Sequence, residues 1–231
     1  MKRSFDPALL EIMDRPQPVS AELERDLQHL RHLNRWFGSH RLVLGFMRRW
    51  LKPGAGIRLI DLATGSGDIP RLIIDFARKI GATVNIDAVD QQAATLEIAS
   101  SLSAGYREIR YRHANILEWN CAERYDIALC NLALHHFSDE DAAMVLRRCC
   151  ELSQRFVLVS DLRGGFLLRA GVYFLTTTVF REPMTRHDAR LSAVRAFSFS
   201  EMHKLALRAG WKHFDHKKFA IARQAIWLET P

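Results

Sequence analysis

The run Leu59-Ile60-Asp61-Leu62-Ala63-Thr64-Gly65-Ser66-Gly67-Asp68 constrains this chain more than any other stretch. Its first residues read as the end of a short apolar strand, Arg58–Leu62, and a helical pattern then runs over Ile69–Ile80. The small residues and two glycines between them let the backbone turn sharply and come close to a ligand. The helix that follows presents free N–H groups at its start. Sites for several nucleoside cofactors share such a turn, so the turn alone does not choose among them.

Charge narrows the choice. Asp61 lies inside the strand end, where a carboxylate would repel a pyrophosphate but attract a cation. Asp68 adds a second carboxylate just inside the helix, where a phosphate would otherwise sit. S-adenosylmethionine carries a sulfonium and an ammonium, so acidic groups suit it. Asp90 closes the next strand-like run, Val84–Val89, about 25 residues on, and an acid there can accept both ribose hydroxyl hydrogens. Gln91 beside it is placed either to meet an adenine edge or to cap a helix.

Strand-like and helix-like stretches alternate from residue 57 onward. Gln92–Leu102 reads as a helix, Ile109–His113 as a strand, Tyr125–Leu132 as a buried strand and Phe156–Ser160 as another. Ser138 caps a helix whose first turn holds Asp139, Glu140 and Asp141. Such alternation implies a parallel sheet with helices on both faces. A further helix spans Ser200–Ala209, and Lys212–Phe219 with Ala222–Glu229 reads as a closing hairpin that lacks glycine at its turn. Ahead of the sheet, three prolines mark an extended leader over residues 6–18, and helices follow from Ser20 and over Arg41–Trp50.

The segment Ile57–Leu162 resembles the class I S-adenosylmethionine-dependent methyltransferases. Asp61-x-Ala63-x-Gly65-x-Gly67 is similar to their first motif, with Ala63 in place of the usual first glycine, and Asp90 matches their ribose-binding acid. His113-Ala114-Asn115-Ile116 matches the turn that meets adenine, and Tyr125–Phe137 their fourth-strand motif in its small-molecule form. Asp61–Asp68 is similar to the quinone-biosynthesis members, and Asn34–Arg41 looks like a leader found near polyketide, pyrone or quinone metabolism.

The resemblance implies an α/β fold: a Rossmann-like, seven-stranded, mostly parallel sheet with helices on both faces and an N-terminal helical lid. Residues 1–50 would form that lid and residues 51–231 the cofactor domain, with 163–198 inserted on the substrate side. It further implies S-adenosylmethionine held by Asp61, Ala63, Thr64, Gly65, Ser66, Gly67, Asp68, Asp90, Gln91, Asn115, Ile116, Asn131 and Leu132. His135 and His136, at the exit of the fourth strand, are the candidates for a general base; alternatively they orient the backbone there. His40, Arg35 and Arg41 are placed to reach the cofactor carboxylate from the lid.

The fourth-strand motif has no Asn/Asp-Pro-Pro-aromatic stretch, which argues against methylation of nucleobase or glutamine nitrogens. A small hydrophobic acceptor, aromatic or polyketide-like and methylated at oxygen, fits better. C-methylation of a quinone precursor and an RNA-associated enzyme are the alternatives. The second rests on the basic final third, where residues 163–231 hold twelve basic against five acidic side chains within an overall net charge of +7. DNA is not expected as a partner. Four cysteines without C-x-x-C or histidine spacing point to reduced thiols and no metal site. With no signal-like start and no apolar run long enough to span a bilayer, the expected location is cytoplasmic, as a monomer or homodimer.

Overall fold

The structure, a computed structural model, describes residues 2–119, 124–180 and 182–229. Two helices, α1 (Ala21–Trp36) and α2 (Ser39–Trp50), lead into strand β1 (Gly56–Leu62), helix α3 (Asp68–Ile80) and strand β2 (Thr83–Asp90). Helix α4 (Ala93–Leu102), β3 (Ile109–His113), β4 (Tyr125–Asn131), α5 (Asp139–Leu152) and β5 (Ser153–Leu162) continue the alternation. The inserted stretch holds α6 (Phe166–Thr178) and α7 (Pro183–Arg195), and the chain ends in α8 (Phe199–Arg208), β6 (Asp215–Phe219) and β7 (Arg223–Glu229).

The strands form one sheet in the order β3-β2-β1-β4-β5-β7-β6. β1 to β5 are parallel, and β7 enters antiparallel between β5 and β6. This is the expected seven-stranded, mostly parallel α/β sheet. Its central strands are apolar on both faces, as strands covered on both sides must be. Along β1, Ile60 and Leu62 pack toward α5 and α8, while Ile57 and Leu59 pack toward α2 and α3. β4 repeats the alternation with Ala128 and Cys130 against Ile127 and Leu129.

Local signals set the helix starts. Ser20 and Ser138 accept N–H hydrogen bonds from Leu23 and Asp141, and Ser198 closes a capping box with Glu201. The final hairpin turns through residues 220–222 without glycine, because Ile221 and Ala222 themselves adopt φ of +57° and +51°. The leader is mostly irregular, with one 3-10 turn at Ile12–Asp14. Asp188 of α7 accepts the N–H groups of Ile12 and Met13 at 2.7 and 3.0 Å, which pins that turn against the insertion. His187 and Asp188 lie on α7, with Asp188 buried. No helix among the described residues is long and apolar enough to cross a membrane. Cys130, Cys149 and Cys150 are free thiols, and Cys121 lies outside the described residues.

Candidate active site

The carboxyl ends of β1, β2, β4 and β5 open into one cavity of about 630 Å³. α1, α6, α7 and the 3-10 turn wall it on the far side. In open parallel sheets this edge, where the chain direction of progress reverses, is where ligands bind. Asp61, Ala63, Thr64, Gly65, Ser66, Asp68, Asp90, Gln91, Ile116, Asn131 and Leu132 line it, together with His135 and His136.

Gly67 and Asn115 do not line the cavity, for different reasons. Gly67 has φ +69°, and a Cβ there would overlap the Tyr111 hydroxyl, so glycine is required for α3 to pack against β3. Tyr111 is fixed in turn by Ser103, and Ser103 by Arg71, whose guanidinium also holds the Ser66 carbonyl. The Asn115 side chain folds back on its own turn, donating to Glu118 and accepting the Leu117 N–H.

The acidic half of the cavity is built on strand tips. Asp61 is 2 % exposed and accepts the Thr64 hydroxyl at 2.6 Å. Burial pushes its carboxyl up to about 7; the Thr64 hydrogen bond opposes this, and Asp68 and Asp90 add to it. Asp90 accepts the N–H groups of Gly65 and Gln92 at 2.8 and 3.0 Å, and its carboxyl is also raised, chiefly by burial. Asp68 accepts from Asn34 and His40 of the N-terminal helices, at 3.1 and 2.8 Å. Arg35 and Arg41 are exposed instead. Asn131 accepts from both Ser39 and Ser160, which ties α2 to the tips of β4 and β5. Ala63 and Leu132 carry φ of +57° and +56°, so β1 and β4 both end in a left-handed turn that aims the next residues into the cavity.

The two adjacent histidines have different surroundings. His135 is 3 % exposed, and its Nδ1 lies 2.6 Å from Asp161 Oδ1 while its backbone N–H donates to Oδ2. Burial works against a charge on Asp161, but His135 and the Leu162 N–H together hold its carboxyl below the usual range. An ionised carboxylate only accepts, so Nδ1 carries the hydrogen and Nε2 is the basic nitrogen. His136 Nδ1 lies 2.7 Å from Asp14 and 3.9 Å from Glu11. Burial disfavours its charge, yet Glu11 and Asp14 outweigh that and raise its pKa to about 10, so it is a cation at neutral pH. Glu11, His135 and His136 bring one possible ligand atom each within 4.8 Å of one another, with both Nδ1 atoms already engaged by Asp161 and Asp14.

Sequence reasoning missed Asp161, Glu11, Asp14, Arg163 and Arg223. Asp161 had a signal, since it stands one residue before the end of β5 as Asp61 does on β1. The sequence pattern ends that strand at Ser160, short of Asp161, which hides the parallel. The others come from the leader, the insertion and the hairpin, which no local motif ties to the sheet edge.

A methyltransferase-domain family profile matches residues 59–155. No curated protein matches the chain. Solved structures share the fold. A candidate O-methyltransferase from Nostoc punctiforme has a TM-score of 0.60 at 16% identity, over 83% of this chain and 57% of its own. Human N-acetylserotonin methyltransferase, solved with S-adenosylmethionine, has 0.56 at 17% identity, over 74% and 47%. This chain therefore spans about half the length of those two proteins. Magnesium protoporphyrin IX methyltransferase from Synechocystis, solved with S-adenosylhomocysteine, has 0.57 at 14% identity, over 93% and 90%. Residues 59–155 are thus similar to a methyltransferase domain, at the centre of a fold shared with solved methyltransferases that bind S-adenosylmethionine or S-adenosylhomocysteine.

Proposed function

We propose that the protein transfers a methyl group from S-adenosylmethionine to an oxygen of a small, hydrophobic acceptor of aromatic or polyketide-like character. The observation that carries this reading is the division of the cavity. Its β1–β2 side is acidic, with Asp61, Asp68 and Asp90 facing inward. Its other side is largely apolar, with Leu30 and Leu33 from α1, Phe37 just past that helix, and Leu168, Val172 and Leu175 from α6. The donor set fits the cofactor: buried carboxylates suit a ligand with two positive centres, and Asp90 keeps acceptor capacity beyond the two N–H groups it holds. Bound there, the cofactor supplies an activated methyl group on sulfur.

His135 stands between the two halves as the base. Asp161 fixes its ring and the hydrogen on Nδ1, leaving Nε2 to take the acceptor hydroxyl proton. With its proton on His135, the acceptor oxygen would be the nucleophile for the methyl carbon, and the carbon–sulfur electron pair would remain on sulfur. Alignment of nucleophile and methyl carbon supplies much of the acceleration, up to about 7–11 kcal/mol in favourable cases. His136, already protonated, contributes charge and holds Asp14 over the cavity. The first 50 residues act as the lid, with Asn34 and His40 clasping Asp68.

The test is methyl transfer from labelled S-adenosylmethionine to a panel of phenolic and polyketide-like hydroxy acceptors. His135→Ala should lower kcat by about 10²–10⁴ while binding of S-adenosylhomocysteine is kept. An equal loss in His136→Ala alone, with His135→Ala active, would reverse the assignment.

A further inference from the structure

The apolar half of the cavity contains two arginines that the transfer chemistry does not use. Arg223, the first residue of β7, is 6 % exposed and lines the cavity. Its Nε donates to the Phe37 carbonyl at 3.3 Å, and its Nη1 is buried with no hydrogen-bond partner. Arg163, just past β5, also lines the cavity, and its Nε is buried and unpartnered. Neither arginine makes an ion pair among the described residues. Burial pulls the Arg223 pKa down to about 10, with the charge of Asp161 opposing it, so the guanidinium still carries its charge at neutral pH.

A buried cation without an ion-pair partner is costly, and a fold without use for it would fill the position with an apolar side chain. Here the backbone holds it in place under strain: Ile221 and Ala222, both left-handed, lie immediately before Arg223, and Arg163 donates its N–H to the Ala222 carbonyl at 2.8 Å. Position separates the pair from the acidic cofactor side. Strand order puts β7 two strands beyond β4 and three beyond β1, or about 10 and 14 Å at the usual strand spacing.

From these observations we infer that Arg163 and Arg223 form an oxyanion subsite, and that the acceptor is an apolar molecule bearing a carboxylate that docks there. The inference rests on the reading of this cavity as the methyl-transfer site. Guanidinium groups match a carboxylate through paired N–H donors, and beside the leucine, valine and phenylalanine side chains of this part of the cavity that contact would set the orientation of the whole acceptor. The same chemistry could be met by the α-carboxylate of the cofactor, and the experiment separates the two sources.

The probes are 2-naphthoate and its methyl ester, titrated by calorimetry into the protein saturated with S-adenosylhomocysteine. The parent should bind the carboxylate at least about tenfold more tightly than the ester. Arg223→Met should abolish that preference, leave affinity for S-adenosylhomocysteine unchanged and raise the melting temperature of the free protein. Arg163→Met, at a less buried position, should reduce the same preference without a change in stability. Equal binding of acid and ester by the parent would overturn the subsite. So would a loss of S-adenosylhomocysteine affinity in Arg223→Met, which would give the arginine to the cofactor. If the parent fails to bind S-adenosylhomocysteine at all, it is the methyl-transfer reading that falls.

Discussion

Asp61 couples the acidic side of the cavity to pH. Its carboxyl sits near 7 in the folded protein against 3.8 when unperturbed, so the folded state holds a proton that the unfolded state releases over that interval. The contribution to stability is therefore fully present below about pH 4 and is lost as pH rises toward 7. A cationic ligand favours the ionised form and releases that proton on binding. Affinity for S-adenosylmethionine should accordingly rise from pH 6 to pH 8, by up to about tenfold per unit below the pKa, and Asp61→Asn should flatten the profile. Calorimetry at three pH values checks this, and a flat profile in the parent would contradict it. Residues such as Asp61 and Asp90 were legible because an acid at a strand tip followed by a turn is a local pattern. Asp161 and Arg223 were not, because their significance depends on which strands become neighbours.

At the scale of elements, most boundaries could be read from periodicity. β3 falls where the pattern placed it, and α3, α4 and α8 agree within a residue or so. The final hairpin was harder, since its turn uses Ile221 and Ala222 in a conformation that glycine usually takes. The insertion was harder still: α7 has no clear apolar stripe, because Thr185, Asp188 and Arg195 are buried in it alongside Met184 and Ala193. Those polar side chains find partners on the leader and α1, which a local window cannot see: Asp188 on Ile12 and Met13, Arg195 on Asp6 and Leu9, Thr185 on Asp26. Where α3 meets β3 the constraint is steric. Gly67→Ala should cost about 2–4 kcal/mol in urea unfolding, combining left-handed strain with overlap at Tyr111. Adding Tyr111→Phe to that variant should recover part of the loss, by removing the hydroxyl that a Cβ would meet.

For the whole molecule, ligand binding and stability are linked. S-adenosylhomocysteine at a hundredfold its Kd should stabilise the fold by about 2.7 kcal/mol. In a chain of this size that is a rise in Tm of roughly 5–10 °C. Absence of a shift across the accessible ligand range would mean that the cavity is not a cofactor site. The architecture itself followed from the alternation of elements, and the cavity's place from the strand ends.

One consequence concerns the order in which the molecule is completed. Asp14 and Glu11 touch His136, Arg3 reaches Asp139, the Phe137 carbonyl and Glu201, and Ser192 donates to Glu11. Gln92 also donates to the Asp14 carbonyl, but these other partners of the leader are synthesised more than a hundred residues after it. Until those partners emerge these contacts cannot form, and closing so long a loop is slow compared with growth of the adjacent helix–strand units. The sheet can assemble first, with the future acid–imidazole cluster still open to water. Maturation of the cavity is then a late step of folding, set by the arrival of α7 and α8 rather than by the motif at β1. A refolding experiment should see sheet formation precede recovery of ligand binding.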